Sequence, residues 1–279
     1  VRRLILRPGA IGDTIVGLPA LERLCSKDSG ADFAEIWAPS RNLPLLRHLA
    51  PVRAFTTVQL DLLEINPPPA LIERLRTFDE IVSWYGAARE EFRAALQAVG
   101  VPFRLLRALP PEGCGCHAVD FYLRQVGVEI EASQDIVPRL PAPRCPGTFR
   151  DGFIAIQPFS GSPKKNWDLA SFRAAAARLT KLTGLRCEWC AGPEEELPGA
   201  RRFGGLDALA NWLSSSTLYL GNDSGISHLA AVCGVPSVVV FLATDSSVWA
   251  PRGPAVSVLE APGWTQVVDS AVTLLRASA

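Results

Sequence analysis

The residues best placed to do chemistry fall in two short runs far apart in the chain. The first is Arg7-Pro8-Gly9-Ala10-Ile11-Gly12-Asp13-Thr14-Ile15, in which two glycines lead into one carboxylate. An apolar stretch, Leu4-Ile5-Leu6, precedes it, and a helical pattern follows at once. A strand that turns directly into a helix puts Gly12, Asp13 and Thr14 at the C-terminal edge of a sheet, where open α/β sheets take their ligands. A lone carboxylate there can take a proton from a reacting group. The second run is Gly221-Asn222-Asp223-Ser224-Gly225-Ile226-Ser227-His228. It too follows a strand and opens a helix. Glycine permits close backbone approach, and the free N–H groups from Ser224 to Ile226 favour an anion at the helix start. The run reads as a pyrophosphate cradle, although Asp223 or Ser224 would also serve as an ordinary N-cap. His228, on the first turn of that helix, points toward the ligand end.

Three further loops close strands. Gln157-Pro158-Phe159-Ser160-Gly161-Ser162-Pro163-Lys164-Lys165-Asn166-Trp167 sets hydroxyls and lysines on a Gly/Pro loop, which suits phosphate contact with lysine as a point charge. The run Glu194-Glu195-Glu196 offers an acid for a ribose diol, a familiar use of a strand-end carboxylate. Asp245 and Arg252 follow another strand, and Trp249 between them serves to cover the core. The cysteines carry less. Cys114, Cys116 and His117 lack a fourth ligand nearby in sequence for zinc. Cys187 and Cys190 have redox spacing, but they sit in a strand pattern and lack the helix N-terminus that would activate a thiol.

The elements that must position these loops alternate short apolar runs with amphipathic stretches, the signature of βα units. In the first half, strands are expected at 4–6, 33–37, 54–57 and 80–84, and helices at 14–25, 69–77, 89–99 and 117–126. In the second half, strands are expected at 153–157, 185–190, 217–220, 237–242 and 256–259. Helices are expected there at 169–182, with Asp168 as N-cap, and at 206–214, 226–233 and 267–276. Between the halves, prolines at 138, 141, 143 and 146 exclude a helix or central strand and mark a linker. The reading is α/β: a doubly wound Rossmann-like domain over 1–146, a second over 147–262, the two facing across a cleft, and a closing helix over 263–279 that can pack back on the first domain.

Composition narrows the classes. Apolar residues at 48% and charged residues at 20% of 279 describe an ordinary water-facing fold with a sizeable core. Equal counts of basic and acidic residues, 28 each, with no dense Lys/Arg run, argue against a nucleic-acid partner. There is no apolar run of spanning length and no signal-peptide pattern, so a cytoplasmic setting is expected. Seven scattered cysteines fit reduced thiols.

Taken together, these runs resemble glycosyltransferase family 9, the ADP-heptose:lipopolysaccharide heptosyltransferases, which have the GT-B architecture. The resemblance rests on 5–13, 158–167 and 221–231, with Gly234-Val235-Pro236, Phe241 and Thr244 completing it. It implies that Asp13 is the general base of an inverting, single-displacement transfer that needs no metal and no cofactor beyond the ADP-sugar donor. It implies that Ser160, Gly161, Lys165, Ser224 and Gly225 meet the leaving diphosphate, that Asp223 holds sugar hydroxyls with His228 nearby, and that Glu195 binds the ribose. Lys165 fits better than Lys164, because the family lysine lies two positions before the tryptophan. The implied partners are a nucleotide sugar and a lipid-linked or other glycan acceptor, with peripheral contact at the inner face of the cytoplasmic membrane allowed. The alternatives are another sugar nucleotide or acceptor on the same fold, and a non-catalytic nucleotide-sugar-binding protein. A nucleotide-dependent oxidoreductase fits less well: Gly9 and Gly12 run straight into Asp13 rather than through GxGxxG, and Glu35 lies inside a strand rather than at its end.

Overall fold

Leu4, Ile5 and Leu6 are fully buried, and the unbroken apolar run is what a parallel strand covered by helices on both faces requires. The computed structural model describes residues 1–130, 135–141 and 152–277, in two compact units, Val1–Gln134 and Asp135–Ala279. The proline-rich connector falls outside the described residues from 142 onward.

The first unit is built on five strands: β1 (Arg2–Leu6), β2 (Phe33–Ala38), β3 (Val52–Ala54), β4 (Glu80–Ser83) and β5 (Phe103–Leu105). They pair in the order β3-β2-β1-β4-β5, all parallel. Strand order reverses at β1, so a crevice opens beyond its C-terminal end, where Leu6 pairs with both Trp37 and Ser83. Leu4, Leu6, Trp37, Phe78, Ile81 and Phe92 form one apolar layer. The expected helix over 14–25 is two helices, Ile11–Val16 and Leu18–Cys25, which meet at Gly17. The expected strand over 54–57 ends at Ala54, where the chain turns into a short helix, Phe55–Val58. Strand β5 escaped the sequence reading because it is three residues long, sits on the edge and follows Pro102.

The second unit repeats the scheme with β6 (Phe153–Gln157), β7 (Arg186–Trp189), β8 (Leu218–Asn222), β9 (Ser237–Phe241) and β10 (Val256–Glu260). The order is β10-β9-β8-β6-β7, again all parallel. The topological switch lies between β6 and β8. Gln157 pairs with Gly221, so the two strands end abreast and their loops emerge side by side. The helix Leu169–Thr183 is capped by Asp168, whose carboxylate accepts from the Ser171 amide at 2.7 Å, and it stops at the left-handed Gly184. The closing helix spans Trp264–Ala277 and buries Val267, Val268, Ala271 and Leu275 in the second unit's core, beside Phe172 and Leu179. Truncating a fully buried member of this core, as in Ile156→Ala, costs about 2–5 kcal/mol.

Candidate functional site

In the second unit the two switch-point loops are stapled by one side chain. Asn222, fully buried, accepts from the Trp167 amide at 3.0 Å and donates to the Pro158 carbonyl at 2.8 Å. It therefore holds both ends of the 158–167 loop against the end of β8. Trp167 itself is buried against Phe172 and donates to the Pro262 carbonyl. Sequence reading placed Asn222 in the cradle but gave it no role. Only the pairing of β6 with β8 shows what an amide, with a donor and an acceptor, does at that position.

On this frame Lys165 and Asp223 meet. Lys165 Nζ lies 2.7 Å from Asp223 Oδ2, and Thr244 Oγ1 donates to the same oxygen. Asp223 is almost wholly buried, whereas Lys165 is about a third exposed. Asp223 receives its place from the β8–β9 pairing, through its amide to the Val240 carbonyl. Ser224, not Asp223, is the N-cap of the helix Gly225–Val232, and its hydroxyl accepts from the Ser227 amide. The first N–H groups of that helix have no intrahelical acceptor, so they add positive potential beside Lys165. Gly221 is required by space. A Cβ there would lie 2.2 Å from the Tyr219 hydroxyl, which is buried and pairs with Ser227 Oγ. His228 is buried on the first turn of the helix.

The remaining predicted donor-side residues are placed as follows. Ser160 folds its loop, donating to the Ser162 carbonyl and to Asn166 Oδ1, both at 2.8 Å. Gly161 is exposed, with space around its Cα. Among the three glutamates, Glu195 is half-buried while Glu194 and Glu196 are exposed. Its Oε2 accepts from the Gly192 amide at 2.6 Å, and Arg202 donates to the Gly192 and Glu195 carbonyls, so the loop is internally braced. Lys164 is exposed, apart from the Asp223 pair. Asp245 caps a short helix through Ser247 and lies in the open. Arg252 reaches back to Asp135 and the Ile136 carbonyl within its own unit.

In the first unit, Asp13 closes the turn that carries it. Its Oδ2 accepts from the Ala10 amide at 2.7 Å, which satisfies a donor at the helix start. Gly9 has φ +108°, and a Cβ there would meet Asp13 at 2.8 Å, so no other residue fits this turn. Thr14 is buried beneath; its hydroxyl donates to the Ala10 carbonyl and accepts from Asn42, which also holds the Gly9 carbonyl. Thr14 thus stiffens the turn from below, and Gly12 lies half-exposed at its top. An open pocket of about 550 Å³ lies along the same sheet edge, sharing Pro8 with this loop and bordered by Trp84, Arg89, Arg93 and Arg107. Arg89 is paired with Glu64 at 2.8 Å. The sequence hid this basic rim because Arg89 precedes and Arg93 lies within the helix Glu90–Val99 after β4, whereas Arg107 comes from the loop after β5.

The other candidates resolve into structure. Glu35 is buried in β2 and accepts from Trp37 Nε1, Arg53 and Arg74, so it braces the sheet. Burial pushes the Cys187 thiol up and the Cys190 thiol up to about 12, with Glu195 adding to the latter; neither is a ready thiolate. His117 caps the helix Ala118–Gln125 by accepting from the Val119 amide. The six described cysteines are free. Among the described residues no helix is long and apolar enough to cross a membrane.

The fold is that of the GT-B glycosyltransferases: the structure superposes on a family 9 glycosyltransferase of Veillonella parvula with a TM-score of 0.75, at 17% identity, over 99% of this chain and 97% of the other. E. coli ADP-heptose lps heptosyltransferase II gives 0.75 at 14% identity, over 100% and 99%, and E. coli heptosyltransferase WaaC, solved with ADP, gives 0.65 at 16%, over 100% and 99%. The sequence profile of glycosyltransferase family 9 (heptosyltransferase) matches residues 204–271, which include the 221–228 cradle. Among curated proteins none matches this sequence. The chain thus has the GT-B fold, and its residues 204–271 are similar to the family 9 glycosyltransferases.

Proposed function

We propose that this protein moves heptose from ADP-heptose to an acceptor of the lipopolysaccharide-core type, with inversion at the anomeric carbon and without a metal. The observation that carries the proposal is the Lys165–Asp223 pair set beside the helix start at Ser224, on loops stapled by Asn222. This site holds a cation, helix N–H groups and a buried carboxylate within one unit, which are the groups a sugar diphosphate needs. On donor binding Lys165 exchanges Asp223 for the diphosphate. Asp223, still held by Thr244, then accepts from the sugar hydroxyls, with His228 beside it. Ser160, Gly161, Ser224 and Gly225 receive the phosphate oxygens, and Glu195 receives the ribose.

Asp13 takes the acceptor hydroxyl proton as that oxygen attacks; Gly12 and Thr14 shape the turn around it. The C–O bond to the diphosphate breaks as the new glycosidic bond forms, and the departing negative charge is met by Lys165 and the helix dipole in place of a metal. The arginine-bordered pocket on the Asp13 edge suits an acceptor that carries anionic groups. Such an acceptor, lipid-linked and made at the inner face of the cytoplasmic membrane, places the enzyme in the cytoplasm with peripheral membrane contact.

The test is ADP release from ADP-heptose, with and without EDTA, in the presence of Kdo-linked or heptose-linked lipid A. Transfer that survives EDTA supports the reading. ADP-heptose binding without transfer to any glycan acceptor would leave a binding protein instead, and preference for another sugar nucleotide would reassign the donor.

A further inference from the structure

Two arginines flank the apolar run of β1, and both are buried: Arg3 is 5% and Arg7 1% exposed. Arg3 is satisfied in the usual way. Its guanidinium donates to Glu80, to the Leu24 carbonyl, and to the Ser29 hydroxyl and carbonyl. Arg7 is not. Among the described residues its Nε and Nη1 have no hydrogen-bond partner, and it makes no ion pair. One donor is used: Nη2 donates to the backbone carbonyl of Asp13. The guanidinium lies over the Tyr122 ring at 4.3 Å and the Trp84 ring at 5.2 Å, so two aromatic faces enclose it. Arginine stays charged in any protein setting, and a buried charge without a carboxylate is costly for the fold.

We infer that Arg7 is a positioning residue for Asp13, an inference that rests on Asp13 being the base. The first turn of the helix Ile11–Val16 is too short to hold its own geometry, and the Arg7 fork pins its Asp13 carbonyl from below while the Ala10 amide holds the carboxylate from above. Trp84 and Tyr122 fix the fork in turn. Gly17 leaves the space it occupies: a Cβ at Gly17 would lie 2.9–3.0 Å from the guanidinium. Gly17 has φ −83°, which alanine adopts without strain, so Gly17→Ala displaces the fork while keeping the charge and the backbone.

The experiment compares Arg7→Met and Gly17→Ala, each alone and combined with Asp13→Asn. The readouts are ADP release from ADP-heptose with Kdo-linked lipid A, ADP affinity by calorimetry, and amide exchange at residues 12–14. Both variants are expected to lower kcat at least tenfold, to leave the ADP Kd within twofold, and to speed exchange at 12–14 at least tenfold. In the Asp13→Asn background each is expected to lower the remaining turnover less than twofold, because a residue acting through Asp13 has nothing left to position. Wild-type kcat or wild-type exchange in Gly17→Ala overturns the inference, and so does an equal loss in the Asp13→Asn background, which a purely structural role would give. If Arg7→Met does not fold, Gly17→Ala decides alone. Full turnover in Asp13→Asn alone is a separate result that removes the base assignment itself.

Discussion

Lys165 and Asp223 neutralise one another at 2.7 Å, in a unit where sequence had assigned them different parts of a donor. The lysine is thus held by a buried carboxylate, and the diphosphate of the proposed donor would have to compete with it.

Lys165→Ala removes the cation and should weaken ADP binding at least tenfold by calorimetry. Asp223→Asn should do the opposite for ADP alone, tightening it severalfold, because Lys165 is freed and a like charge leaves the phosphate site. An unchanged Kd in the first variant removes the phosphate role, and weaker ADP binding in the second shows that the two groups do not compete.

Asp13→Asn keeps the shape of the turn, since an amide oxygen can still accept from Ala10, and removes the proposed base. Turnover should fall at least a hundredfold, within the usual range for a general base, with ADP-heptose affinity nearly intact.

Gly221→Ala should destabilise the second unit by about 1–3 kcal/mol in denaturant titration, from overpacking against a rigid neighbour. The added methyl meets the buried Tyr219 hydroxyl, which cannot retreat without losing Ser227. Wild-type stability would show that Tyr219 relaxes freely.

Glu80 supplies a pH signature. Burial works against its ionised form, but Arg3 at 2.7 Å and Arg104 at 2.9 Å outweigh it and hold the carboxyl below its ordinary value of 4.5. A carboxyl lowered on folding stabilises fully above its unfolded pKa and loses that contribution as pH falls through its folded one. Glu80→Gln should therefore lower the Tm near neutral pH, and the gap from wild type should close as the pH drops below about 4. A gap that stays constant with pH would refute the linkage.

Much of the architecture was legible because parallel strands buried on both faces are continuous apolar runs: 153–157 matched β6, and the helix over 206–214 matched its observed bounds. The weak points were local. Gly17 broke one expected helix into two, and β5 was too short and too close to Pro102 to register. Residue types marked Asp13, Lys165, Asp223 and Glu195 as chemical candidates, because charged groups at strand ends have few structural reasons to be there.

What the sequence determined by itself is therefore the α/β class, the strand-end loops and the kinds of group they carry, since periodicity and turn chemistry are local properties of the chain. The tertiary structure alone decided which of those groups meet. Sheet order set β6 beside β8 and so brought Lys165 onto Asp223, across 58 positions, with Asn222 as the staple. It also enclosed Arg7 between Trp84 and Tyr122, because pairing β1 with β4 brings up Trp84 and the helix Ala118–Gln125 supplies Tyr122, residues that no local pattern links.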